Sequence, residues 1–348
     1  MDFKQMMSER VEYVEDILRE YLPDDNELTF TITDAMKYST LSGGKRVRAV
    51  MMLETYRMFN GKSDVIKPFV AAIEMIHAYS LVHDDLPALD NDEFRRGLPS
   101  THYKYGEAMG ILCGDALLNY AFETVAKAFD IECNANVAKA FKILSEKAGI
   151  HGMIGGQVVD VETEGREIDA DTMYFIHKNK TAALIEAALM VGACLADASD
   201  DDVKKVESIG SDVGLAFQIQ DDILDVISTT KELGKPVGSD DKNNKNTYVK
   251  YKGLDEAKRE VEMISMRSIK TLDSLSVSND FLNRLIKNMI TRKKKNKYLI
   301  IMKKLTSKKN TLILNKKHLI KNIRNTNNLC MKKMMKKNIL KQMKCLQV

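Results

Sequence analysis

Two short acidic runs stand apart from the other aspartates of this chain because of what precedes them. Asp84 and Asp85 are followed by Asp90 in DDLPALD, Asp221 and Asp222 by Asp225 in DDILD, and each run closes an apolar stretch. Carboxylates at the end of a core helix cost several kcal/mol to bury unless a cation compensates them. Asp24-Asp25, Asp200-Asp201-Asp202 and Asp240-Asp241 instead lie beside Pro, Ser or Lys, where solvated loops or helix N-caps are explanation enough. In DDILD a helix sets two carboxylates one turn apart on one face with the third beside them. In DDLPALD, Pro87 must end or kink the helix, so Asp90 can fold back toward Asp84 and Asp85. Ligands made only of oxygen suit magnesium, which keeps several waters and shares its coordination with substrate phosphates.

Cations complement these acids. Gly43-Gly44-Lys45-Arg46-Val47-Arg48 opens a helix with a flexible glycine pair, exposed N–H groups and three positive charges, which makes a workable anion cradle. It lacks the Walker spacing, so nucleotide binding is not implied, and a plain basic helix start would also account for it. His77 lies seven residues before Asp84 on nearly the same face, a spacing that an ordinary core histidine would share. Arg95-Arg96 follow Asp90, while Lys180 with Thr181 and Lys235 in GKPVG add charge near other helix ends. No Ser or Cys nucleophile motif accompanies them. Paired carboxylate clusters ringed by Arg and Lys point to chemistry on a diphosphate, with a metal stabilising the leaving group.

The elements that must position these groups are helical. Apolar residues recur at helical spacing, as in Val11, Val14, Ile17 and Leu18, and Pro is scarce. Helices are expected over 3–21, 45–59, 67–86, 107–129, 134–150, 171–196, 202–228, 254–275 and 280–291, with 67–86 and 202–228 central because they are apolar almost all round. No hairpin signal separates alternating apolar runs, so an all-α domain of roughly ten helices spanning 1–291 is the economical reading. With 44% hydrophobic and 29% charged residues the chain is neither disordered nor fibrous. Its longest uncharged apolar stretch, Ala187 to Ala196, is shorter than the roughly 20 residues a membrane span needs. No basic n-region precedes an apolar run at the start, so a cytoplasmic location is the default expectation. Five scattered cysteines provide neither a disulfide framework nor zinc spacing. Residues 292–348 differ in kind. They hold 19 Lys and Arg with no Asp or Glu, against a body that is net acidic, and read as a basic low-complexity tail that is not a folded domain.

The segments GGKRVR at 43–48, EMIHAYSLVHDDLPALDNDEFRRG at 74–97, GGQVVDVETEG at 155–165, IHKNKTAAL at 176–184, FQIQDDILDV at 217–226 and GKPVGSDDKNNKNTYV at 234–249 occur in one order. Together they resemble the trans-isoprenyl diphosphate synthases, most closely the bacterial farnesyl diphosphate synthases (geranyltranstransferases). The resemblance implies a single large helical bundle around a central cavity, of the isoprenoid synthase type. It also implies condensation of isopentenyl diphosphate with an allylic diphosphate. Asp84, Asp85, Asp90, Asp221, Asp222 and Asp225 would hold about three magnesium ions. Arg95, Lys180 and Lys235 would bind the allylic diphosphate, with Gln157, Thr181 and Gln218 as polar support. Gly44, Lys45, Arg48, His77 and Arg96 would take the diphosphate of isopentenyl diphosphate. Tyr79 and Ser80, deeper along the same helix, would set product length, and Tyr79 with the longer acidic motif looks like a C15 enzyme. A C20 synthase or a weakly active homologue acting as a partner subunit are the alternatives. A homodimer is implied, with no specific nucleic-acid partner and no transmembrane segment. Two positions depart from the family pattern: Ala182 stands where Gly usually follows Lys-Thr, and Asn91 where Asp is common.

The tail generates a test that needs no structure. Its cations have no acids to pair with and bind polyanions indiscriminately. Truncation after Lys294 is expected to leave synthase activity equal to or above that of the full chain, measured as steady-state rates at low and moderate salt. Loss of activity in the shortened chain would make the tail a working part of the protein.

Overall fold

The run IKPFVAAIEMIHAYSLVHD has apolar residues on every side, so as a helix it has to be enclosed by others. The computed structural model describes residues 2–227 and 247–290, and over these the fold is an all-α bundle. The amino-terminal part comprises α1 (Phe3–Tyr21), α2 (Phe30–Leu41), α3 (Val47–Met58) and α4 (Ile66–Asp84). A hairpin of β1 (Phe94–Arg95) and β2 (Leu98–Pro99) leads to α5 (Thr101–Tyr105), α6 (Glu107–Ala126), α7 (Ala128–Ile131) and α8 (Ala135–Ala148). Next come α9 (Met153–Glu162), α10 (Ala170–Ile176), a π-helical turn over His177–Ala182, α11 (Ala183–Leu195) and α12 (Asp200–Ile227). Beyond the gap in the described residues lie α13 (Tyr248–Lys252), α14 (Leu254–Asp273) and α15 (Asp280–Ile290).

Packing follows composition. α4 lies chiefly against α6, α11 against α3, α8 and α12, and α12 also against α14. α4 is enclosed as expected, but α11 is enclosed more completely than α12: every residue of α11 except Met190 is buried. Its single charge, Glu186, is met by Lys147 of α8, which also reaches Glu207 at 2.7 Å. Small residues let these helices touch. A Cβ on Gly192 would come 2.4 Å from Met52 O of α3, and one on Gly210 would come 2.7 Å from the Glu186 backbone. A polar knot joins α1, α3 and the segment before α15: Arg10 and Arg57 bind Glu54 at 3.0 and 2.6 Å, and the Asn279 side chain donates to the same carboxylate.

The structure departs from the periodicity reading at definite places. The expected helix 171–196 is interrupted by the π-helical turn, and the helix expected over 107–129 breaks at Lys127. Helices α2, α5, α9 and α13 were not anticipated; FTITDAMKYSTL is rich in β-branched residues, and MIGGQVVDVE carries a Gly pair, both weak helix formers. The hairpin was also not anticipated. Its two-residue loop is Arg96-Gly97, both at positive φ (55° and 78°), as a type I′ turn requires. Asp202, expected in a solvated loop or at a helix N-cap, lies in the first turn of α12, where it is buried and accepts from the Ser199 and Ser276 hydroxyls. Among the described residues no helix is long and apolar enough to cross a membrane.

Candidate active site

The end of α4 decides the acidic end of the site. The Asp85 N–H makes the last helical bond, to Leu81 O, and Pro87 cannot extend the ladder. The chain turns back at once: the Asp90 N–H donates to Asp84 O at 2.9 Å and the Asn91 N–H to Leu86 O at 3.1 Å. Asn91 sits at φ 50°, a left-handed conformation that asparagine adopts more readily than most residues. Its departure from the family pattern therefore suits the turn.

Asp84 and Asp85 adjoin in sequence but meet different partners. Asp85, 2% exposed, accepts Arg95 Nε at 2.8 and 3.1 Å and is also bonded by Arg95 Nη2. The hairpin delivers that arginine, which also lies 3.6 Å from Asp92. Burial pushes the Asp84 carboxyl above its ordinary range; Lys180 is the charge that most opposes this, while Asp90 and Asp85 add to it. Asp84 thus feels two cations, Lys180 and Arg95, and two anions, Asp90 and Asp85.

Lys180 is placed by the π-helical turn. Gly156 of α9 approaches it so closely that a Cβ there would fall 2.2 Å from Lys180 N. Gln157, half-buried, follows on the same helix. The Lys180 ammonium binds Asp160 at 2.6 Å. Asp160 was not singled out from the sequence, although it lies inside GGQVVDVETEG, three residues after Gln157. On the other side of the turn the Thr181 hydroxyl donates to Gln218 Oε1 at 3.2 Å, and Gln218 Nε2 donates to Asp222 Oδ1 at 3.4 Å. Asp222 Oδ2 accepts the Tyr248 N–H at 2.7 Å. A chain of hydrogen bonds thereby links the π-helical turn to the second acidic motif. Ala182 is fully buried against Gly214, where a Cβ would strike it at 2.3 Å. The glycine that the family places at 182 is matched here by one on the facing helix.

Asp221 is half-buried and Asp225 is 4% exposed. Among the described residues no three His, Cys, Asp or Glu side chains converge closely enough to hold a metal unaided. Lys235 lies outside the described residues.

The cationic end is built around His77, two turns below Asp84. The Arg96 guanidinium lies on the Gly43-Gly44 backbone: Nη1 donates to Gly43 O, and a Cβ on Gly44 would come 3.0 Å from it. Gly44 is at φ +143°, so a side chain there would be both strained and obstructed. Burial holds the His77 imidazole well below its ordinary pKa, and Arg48, Arg96, Arg46 and Arg95 add to the effect in that order. Burial and the neighbouring Arg46 bring Arg96 down to about 10, against the pull of Glu74. Arg48 Nε is buried without a hydrogen-bond partner. Lys45 is exposed at the rim. Cations packed this closely around a neutral imidazole make a site for a multivalent anion.

Tyr79 is 6% exposed, packs edge-on against His83 with ring centroids 5.9 Å apart, and has its phenol raised by burial and then by Asp84. It is a core residue that also feels the acidic end. The Ser80 hydroxyl donates to His77 O at 3.0 Å.

The comparisons agree with this geometry. Residues 30–278 match the family model described as polyprenyl synthetase. The farnesyl diphosphate synthase of Escherichia coli is 38% identical over 299 residues, covering 84% of this chain and 100% of that protein. The geranylgeranyl diphosphate synthase of Cyanophora paradoxa is 42% identical over 257 residues, covering 74% and 85%. A crystal structure of the Helicobacter pylori geranyltransferase complexed with magnesium and isoprenyl diphosphate superposes with a TM-score of 0.71 at 29% identity, covering 84% of this chain and 97% of that one. Since the family model spans residues 30–278 and these relatives are covered over most of their length, the chain belongs to the polyprenyl synthetase family.

Proposed function

We propose that this chain condenses isopentenyl diphosphate with an allylic diphosphate, dimethylallyl or geranyl, to give farnesyl diphosphate and pyrophosphate. The observation that carries the proposal is that one helix, α4, bears an anion-binding cluster at His77 and an acidic cluster at Asp84, seven residues apart. Each suits one of two diphosphates. Lys45, Arg48, His77 and Arg96, beside Gly44, hold the diphosphate of isopentenyl diphosphate. Arg95, Lys180, Thr181, Gln157 and Gln218 support the allylic diphosphate, and Lys235 joins them by family resemblance.

The acidic donor set is all oxygen and fits magnesium. Magnesium takes one or two carboxylates and fills its octahedron with phosphate oxygens and water. Asp84, Asp85, Asp90, Asp221, Asp222 and Asp225 are the residues that would hold it. Of this set, Asp85 and Asp222 also fix Arg95 and the Gln218–Tyr248 side of the site. Magnesium, when bound, supplies countercharge to the departing pyrophosphate. The bond from the allylic C1 to its diphosphate oxygen breaks, the isopentenyl double bond forms the new carbon–carbon bond, and the released pyrophosphate takes the proton that is lost. The surrounding cations stabilise that leaving group without reorganising.

Tyr79 serves as the floor beneath the growing prenyl chain. The similarity to geranylgeranyl synthases favours a C20 product as the second reading, and the same residue decides between the two. A homodimer is part of the proposal, supported by the exposed apolar Ile111 and Leu112 of α6, as are a cytoplasmic location and a basic segment 292–348 lying beyond the folded domain.

Three outcomes test this. Incubation with isopentenyl diphosphate and each allylic primer should yield C15, and Tyr79→Ala should lengthen it. Unchanged C15 at full activity would make Tyr79 a core residue only. Asp221→Ala should abolish magnesium-dependent turnover with Tm nearly kept; retained turnover would remove DDILD from the mechanism. The imidazole of His77 should titrate well below an ordinary histidine in the free protein, and inorganic pyrophosphate should raise its pKa, read by NMR. Because its folded pKa lies below the unfolded value of 6.5, its contribution to stability is present above that pH and lost as pH falls toward the folded pKa. A His77 that titrates normally and ignores pyrophosphate does not line an anion site.

A further inference from the structure

Four arginines influence His77, but they are not equivalent. Arg95 is engaged by Asp85. Arg46, 4% exposed, occupies the left-handed N-cap of α3 at φ 50°, directly after the Gly43-Gly44 turn. Its Nη1 lies 3.3 Å from Glu74 Oε2, its Nη2 donates to Thr40 O at 2.8 Å, and Glu15 stands 3.8 Å away. Glu74, 3% exposed, accepts the Ala49 N–H at 3.4 Å through its other oxygen. It precedes His77 on α4 by three residues, close to one helical turn. A single buried pair therefore joins the glycine turn on which Arg96 rests, the first turn of α3 that carries Arg48, and the turn of α4 that carries His77.

Resting on the assignment of this end to isopentenyl diphosphate, we infer that Arg46 and Glu74 are positioning residues for that diphosphate: they hold Arg48, His77 and Arg96 around one point without touching the substrate. Three facts separate Arg46 from the binding cations. Its guanidinium is already shared between Glu74 and Thr40 O, with Glu15 at 3.8 Å, whereas among the described residues no carboxylate lies within ion-pair distance of Arg48 or Arg96. Arg46 is more deeply buried than either of them. Glu74, finally, is the carboxylate that opposes the lowering burial imposes on both Arg48 and Arg96. A pair placed in this way affects one substrate and not the other, because nothing in it reaches Asp84, Lys180 or the DDILD segment.

Replacing a buried ion pair by apolar residues of similar volume commonly leaves a fold intact, so the informative variant is R46M/E74L. Steady-state kinetics with both substrates varied should show the KM for isopentenyl diphosphate raised by about tenfold or more, with kcat and the KM for geranyl diphosphate within about twofold of wild type. Arg46→Lys keeps the charge but cannot span Glu74 and Thr40 O together, and should raise the same KM by a smaller factor at unchanged kcat. It also provides the reading if the double variant does not fold. Unchanged KM for isopentenyl diphosphate in whichever variant is folded, or equal rises in both KM values, overturns the inference. A wild-type enzyme whose rate does not saturate with isopentenyl diphosphate instead overturns the proposed function on which it rests.

Discussion

Charge withdrawn from water must be matched by charge, and in this protein that constraint falls on one helix. α4 is apolar around most of its circumference yet contains Glu74 and His77 and ends at Asp84 and Asp85. None of these could be there unanswered. Glu74 is met by Arg46, Asp85 by Arg95, and Asp84 by Lys180, each brought from a different element: the glycine turn before α3, the hairpin after α4, and the π-helical turn before α11. The bundle is folded around α4 partly because its charges summon partners from three directions. The result is a cluster of positive charge around His77 and a mixed cluster of acids and cations around Asp84.

The close approaches explain how partners so far apart in sequence reach this helix. Gly156 lets α9 press on the backbone of Lys180, and Gly214 lets α12 receive Ala182. Held from both sides, the segment between α10 and α11 takes up the extra residue of a π turn, a distortion common at functional positions. Lys180 then faces Asp160 and Asp84, while Thr181 faces Gln218. These two neighbours thus serve two different walls of the site.

The acidic motifs, GGKRVR, the paired arginines and Lys180-Thr181 were legible in the sequence because each combines residue types that a bland core or surface rarely assembles. The fold class and most long helices were legible from the 3.6-residue period. What escaped has a common cause. Asp160, Glu74 and Arg46 look like ordinary charges in the sequence, and their importance lies in partners 20, 28 or more positions away. Asp85 and Asp222 look like twins of Asp84 and Asp221, yet tertiary contacts give them different partners. The hairpin was hidden because Arg-Gly is an uncommon type I′ pair, and α2 and α9 because β-branched and glycine residues mask helices that packing stabilises.

The seven residues from His77 to Asp84 carry a geometric consequence. At 1.5 Å per residue they separate the two ends of the site by about 10 Å along the α4 axis. On the proposed assignment, two diphosphates anchored that far apart leave room between them for one five-carbon unit to bridge the gap, its double bond toward the allylic C1. The separation is set by backbone geometry, so it does not depend on side-chain rotamers and is the same in every turnover. Chain length is then read elsewhere, on the Tyr79 side of the helix. On the proposed assignment, one helix would thus fix the distance over which the carbon–carbon bond forms and, on another face, the depth to which the product grows.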